Sequence, residues 1–394
     1  MKNFYPYTFF LDYFGKNHEQ FVDQLIEKIS QVPNDAAVIL WADEWITPDR
    51  VMYIIDKVGN RRKRVHWLLN ESYYPQYVKT LFNSTGIDIY WLEMGLLVLD
   101  FELSIFKTSI LNSSWNPNAE KFLFLTGKPN RVNRIRLLHK FYSQGLLEKS
   151  IWSFFMDDLM FKQCRELLPE LSDHNYQAFV TKNINNPDDA QILYNTAGIC
   201  HYDGYPFDAG MYSNVAFRVI SETRIGGQPI NTEKTWVTIA NKLPFMISGY
   251  RGNLELLRQQ GFRTFENYLA VKNYDWIDDD ESRLNAIVSN TEYWLKHIKS
   301  QEIEIAQDIE YNYKLLMEKI FKTRQIFKEI YDKLGPVPFD IFRILPIPMQ
   351  RAQWVNFYYE VKDASWPDCW SPRDFHQLPN YIKTELIEVH GYVP

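Results

Sequence analysis

Short apolar runs alternate with amphipathic stretches over the first 250 residues. Residues 36–41 (AAVILW) form an apolar run that stops at Asp43-Glu44. Pro48 and Asp49 then open a helix with Val51, Ile54 and Ile55 at helical spacing. Residues 64–69 (RVHWLL) read as a second strand, Tyr77 to Phe82 as a second helix, and residues 87–92 (IDIYWL) as a third strand. Strand, helix, strand, helix, strand at this spacing predicts a parallel α/β unit. Asn112-Ser113-Ser114 and Asn116-Pro117-Asn118 predict a loop or linker.

A second pattern of the same kind follows. Residues 121–126 (KFLFLT) predict a strand, 127–130 a loop, and Arg131 to Tyr142 a helix with Val132, Ile135 and Leu138 on one face. Gly145 fits its C-cap, and a strand resumes near Ile151 to Phe155. Residues 215–220 predict a strand, Gly226-Gly227 a loop, 232–243 a helix, and 244–248 (PFMIS) another strand. Asn253 is expected to cap a short helix that Gly261 ends. From Ser282 to Leu334 the pattern is one or two long, charged amphipathic helices, their charges read as a solvated face. The expected division is 1–117, an acceptor-side α/β domain; 118–281, a ligand-binding α/β domain; and 282–394, helices with a Pro- and Trp-rich tail packing back on the cleft.

Composition narrows the function classes. A hydrophobic content of 46% can fill sizeable cores, so disorder is excluded. The net charge of −6 argues against a surface built throughout to clamp phosphates, though one basic cleft stays compatible with it. Cys164, Cys200 and Cys369 have no metal spacing and read as reduced thiols, no metal site is expected, and the expected location is the cytoplasm, the host's if viral. The aromatic N-terminus has no signal-peptide pattern and no run spans a membrane.

Three clusters could carry chemistry. In the first, a Gly-Gly loop containing Gly227 leads into a helix starting Thr232-Glu233-Lys234. A helix N-terminus suits a diphosphate, Lys234 adds a point charge, and Glu233 could accept from ribose hydroxyls. Equally, Glu233 could serve only the helix dipole and Lys234 be solvated. In the second, Lys128, Arg131 and Arg134 crowd a loop and the first helical turn, where cations oppose the dipole and so suggest a phosphate. In the third, Asp43 and Glu44 close the first strand, where a parallel sheet faces its ligand, and either could act as base toward a hydroxyl.

Residues 232–236 (TEKTW) and 239–247 (IANKLPFMI) resemble the donor-site segment of fucosyltransferase-like and exostosin-like GT-B glycosyltransferases. The resemblance implies two Rossmann-like domains facing a cleft, with long C-terminal helices. It implies a nucleoside-diphosphate sugar as donor, without metal or other cofactor, Glu233 on the ribose, Lys234 and a basic residue of the 128–134 cluster on the phosphates, and transfer with inversion. Gly226-Gly227-Gln228 departs from the family pattern, which leaves the sugar-selecting contacts open. The C-terminal stretch around Trp366-Pro367 and Leu378-Pro379 is similar to proteins of phage and marine-virus type. That adds hydroxymethylated DNA bases to glycans as acceptors, and a non-catalytic binding protein of the same fold as a third reading.

Overall fold

The computed structural model describes residues 7–10, parts of 23–32, 38–42, 48–58, 65–70, 76–84, 88–92, 96, 114–126, 132–154, 212–222 and 229–334. The chain divides into two compact units, one of residues 1–105 with 319–394 and one of 106–318. The architecture is mixed α/β, with two parallel four-stranded sheets and a long helix toward the C-terminal end.

The first unit holds β1 (Tyr7–Phe10), β2 (Val38–Ala42), α1 (Pro48–Val58), β3 (Val65–Asn70), α2 (Gln76–Asn83) and β4 (Asp88–Leu92). Its strand order, β1-β2-β3-β4, follows the chain. Val38, Leu40, Val65, Trp67 and Leu69 alternate onto one buried side and join Val51, Ile54, Ile55 and Phe82 in a core. Strand β1 was not expected. Its sequence, YTFF, pairs with β2 from Tyr7↔Val38 to Phe10↔Trp41.

The second unit holds β5 (Phe122–Thr126), α3 (Val132–Ser143), β6 (Ser150–Phe154), β7 (Phe217–Ser221), α4 (Glu233–Ala240), β8 (Phe245–Ser248), α5 (Asn253–Gln259) and α6 (Asp280–His297). Helix α7 (Glu302–Leu334) begins in this unit and passes into the residues counted with the first. Here the strand order is β6-β5-β7-β8, all parallel. From β5 the chain steps outward to β6, then returns past β5 to lay down β7 and β8. Right-handed crossovers therefore put α3 and α4 on opposite faces. Side-chain parity agrees. Phe122 and Phe124 pack their rings on Phe141 of α3, whereas Arg218 of β7 and Glu222 just after it meet Thr238 and Thr235 of α4. Trp294 of α6 covers Phe217 on the α3 face, with ring centroids 5.0 Å apart.

Two helix ends differ from expectation. Helix α4 stops at Ala240 rather than 243, because Lys242 takes a left-handed φ of 54°. The Lys242 N–H then reaches Ile239 and the Leu243 N–H reaches Thr238, a Schellman closure ahead of Pro244. Helix α5 has Gly252, not Asn253, at its N-cap, and its first amides are held by Asp275. Gly261 ends α5 as expected, with φ 91° and the Phe262 N–H on Leu257.

Candidate functional site at the carboxyl edge of the second sheet

In an open parallel sheet, ligands bind beyond the carboxyl ends of the strands, where neighbouring connections run in opposite directions. In the second unit that point lies between β5 and β7. The pairing there covers only Phe122↔Phe217 and Leu123↔Arg218. The flanking ladders run on to the strand ends, from Phe122↔Ser150 to Thr126↔Phe154 and from Arg218↔Phe245 to Ser221↔Ser248.

Polar groups crowd this edge. Ser221 and Ser248 are paired across β7 and β8, and extension of the β5–β7 register puts Thr126 level with them. All three share the α3 face by parity, all three are buried, and none of their hydroxyl oxygens has a hydrogen-bond partner among the described residues. A row of dry, unsatisfied hydroxyls costs about 1–3 kcal/mol for each missing bond, so such groups normally face a water or a ligand.

Glu222, the next residue after β7, turns to the opposite face. Its side chain is buried and accepts three hydrogen bonds, from the Thr232 N–H (3.0 Å), the Thr232 hydroxyl (2.6 Å) and the Thr235 hydroxyl (2.9 Å). A carboxylate thus sits at the positive end of α4. Thr232 is the N-cap, but its hydroxyl donates to Glu222 and makes no cap bond to the helix. From α3, the Asn133 side chain donates 3.4 Å to the Glu222 carbonyl, tying the two helix starts to one strand end.

The loop after β8 closes against the same point. A Cβ on Gly249 would lie 2.8 Å from Asn253 Oδ1 and 3.2 Å from Glu222 Cβ, so glycine is required by space. The Asn253 amide donates to the Ile230 carbonyl and to Asn231 Oδ1, locking α5 to the chain that enters α4. Asp275 holds α5 by accepting from the Leu254 and Glu255 amides. Burial, then the nearby Glu266 charge, pushes the Asp275 carboxyl up to about 6 against the pull of those two amides. Burial also raises Glu266 and Tyr274, whose hydroxyl oxygen accepts from the Ile247 amide of β8.

The expected site residues fall as follows. Asp43, Glu44, Lys128, Arg131 and Gly227 lie outside the described residues, and Glu233 begins α4 without a described side chain. Lys234 is buried, so it is not the solvated lysine of the plainer expectation. Arg134 is also buried, within α3. Thr232 stands at the carboxyl edge, engaged by Glu222. Sequence reasoning missed Glu222, Thr126, Ser221, Ser248 and Asn253. A strand ending in a small hydroxylated residue, three times in one sheet, was the available signal.

Among the described residues, no cluster of three His, Cys, Asp or Glu could hold a metal ion, and no helix is long and apolar enough to cross a membrane. No protein-family model matches the chain, and neither curated proteins nor solved structures yield a match.

Proposed function

We propose that the protein is a glycosyltransferase of two Rossmann-like domains that takes a nucleoside-diphosphate sugar at the carboxyl edge of the second sheet. The observation that carries this reading is the reversal of strand order between β5 and β7, with unsatisfied Thr126, Ser221 and Ser248 hydroxyls at that edge. Hydroxyls and helix amides, with a few placed charges, are what a hydroxyl-rich, diphosphate-bearing ligand needs. Glu222 already occupies the start of α4, and a second anion there would be repelled. The diphosphate therefore belongs on the α3 side; Lys128 and Arg131 lie in the sequence between β5 and α3. Lys234 is buried in the first turn of α4.

A thermal-shift screen across nucleoside diphosphates and their sugars tests this. A ligand present at ~100 times its dissociation constant stabilises by about 2.7 kcal/mol. The expected outcome is a clear rise in Tm with one nucleobase, abolished by Lys128→Ala with Arg131→Ala. A flat response across the whole panel sinks the proposal.

A further inference from the structure

Trp276 is 52% exposed, and it lies on the same edge as the candidate site. A Cβ built on Gly252, just after β8, would sit 3.9 Å from the Trp276 ring and 3.8 Å from Pro229, just before α4. The residues before it are fixed. Tyr274 is buried and bound by the Ile247 amide, and Asp275 is buried on the first turn of α5. The Gly252 amide donates to the Asp275 carbonyl, and the Trp276 amide closes a 3-10 turn on Asn273. An indole left half in water costs hydrophobic free energy, yet this one is held on a hydrogen-bonded turn. That is the preorganised presentation a stacking surface requires.

The charges around it select the ligand. Over residues 272–281 one lysine, Lys272, stands against Asp275, Asp278, Asp279, Asp280 and Glu281. Among the described residues, the cations paired with this run from elsewhere are committed. Arg251 pairs with Asp278, Lys140 with Glu281 and Arg283 with Asp280. Against five carboxylates and the single lysine of this run, a phosphodiester strand would gain little by releasing its counterions. An uncharged pyranose meets no such penalty. Its C–H face suits the indole, and its hydroxyls suit the Asp278 carboxylate, whose side chain is largely exposed.

Resting on the glycosyltransferase reading, we infer that Trp276 is the acceptor platform, stacking a neutral sugar ring of a glycan rather than a base of modified DNA. Saturation-transfer NMR and titration with cellobiose, lactose, maltotriose and chitotriose test it on the full chain, using wild type, Trp276→Ala and Trp276→Phe. At least one of these sugars should bind, with the dissociation constant raised roughly tenfold or more in Trp276→Ala and within about threefold of wild type in Trp276→Phe. Nucleoside-diphosphate thermal shifts should be equal in all three. Absence of binding to every sugar, equal binding in Trp276→Ala, or Trp276-dependent binding of hydroxymethylcytosine DNA overturns the inference. Trp276-dependent sugar binding without any nucleotide shift would keep the platform and remove the glycosyltransferase reading.

Discussion

The two sheets are built from the same strand–helix alternation, yet they bury different chemistry. In the first unit the strand order follows the chain, and the core is aliphatic and aromatic, with His66 as the buried polar residue of its described strands. In the second the order reverses, and the interior holds Glu222, Asp275, Lys234, Arg134, Arg218 and a row of hydroxyls. Arg218 is buried against the Tyr212 hydroxyl and Thr238 Oγ1. Buried charge is expensive and stabilises little that an apolar residue could not. Most of these groups lie toward the carboxyl edge where the ligand site is proposed, while Arg218, the second residue of β7, lies toward the opposite edge. Among its described residues the first sheet buries no acid, lysine or arginine.

If that contrast is right, the second unit should carry a pH dependence of its own. The Asp275 carboxyl is raised to about 6 in the fold. Its contribution to stability is full below the usual carboxylate range and is lost as pH rises through about 6, because unfolding releases the strain on the charged form. The loss is on the order of 3 kcal/mol. Urea unfolding at pH 4.5 and 7.5 should show about two-thirds of it, and Asp275→Asn, which keeps an acceptor for the α5 amides, should flatten it. An unchanged pH profile in Asp275→Asn would mean the carboxylate is not strained.

Glu222→Ala comes next. It leaves the Thr232 amide and two threonine hydroxyls without their acceptor and removes the anion at the start of α4, a cost of roughly 2–3 kcal/mol. Glu222→Gln, which keeps one acceptor, should lose about half of that. Equal losses would show that charge, not hydrogen bonding, holds α4 in place.

Gly249→Ala separates two reasons for glycine. Its Cβ would strike Asn253 and Glu222, costing about 1–3 kcal/mol by overpacking. Gly145→Ala meets nothing within 4 Å and pays only for a φ of 68°, about 1 kcal/mol. Asn253→Ala should rescue Gly249→Ala in part and have no effect on Gly145→Ala, as double-mutant unfolding curves would reveal.

The strands from β2 to β8 were legible because each is an apolar run bracketed by breakers, and strand existence depends on local pattern. Strand β1 was not, since four residues in an aromatic N-terminus carry no alternation to read. The end of α4 was misread for a different reason. Leu243 is buried and keeps the helical period, but it is placed there by a backbone reversal at Lys242, not by another turn of helix. The candidate site was the least legible part. Residues 221–224 (SETR) look like a surface loop, and nothing local shows that Glu222 will meet Thr232 and Thr235 ten and thirteen residues on. Trp276 sits beside an acidic run that reads simply as the start of α6, which Asp279 does cap.

The smallest effect tests the first sheet's side of the comparison. His66 and Asp88 approach to 3.3 Å across β3 and β4, with the Asp88 side chain about half in solvent. A carboxylate so exposed stays hydrated, and screening leaves the pair worth at most ~1 kcal/mol. Asp88→Asn should therefore shift the unfolding midpoint slightly at low salt and not at all in 1 M NaCl, where the Debye length is about 3 Å. Glu222→Ala should keep its full effect in the same salt, because its acceptor role is buried. A large, salt-resistant loss in Asp88→Asn would place essential buried electrostatics in the first sheet too, and the contrast between the two sheets would fail.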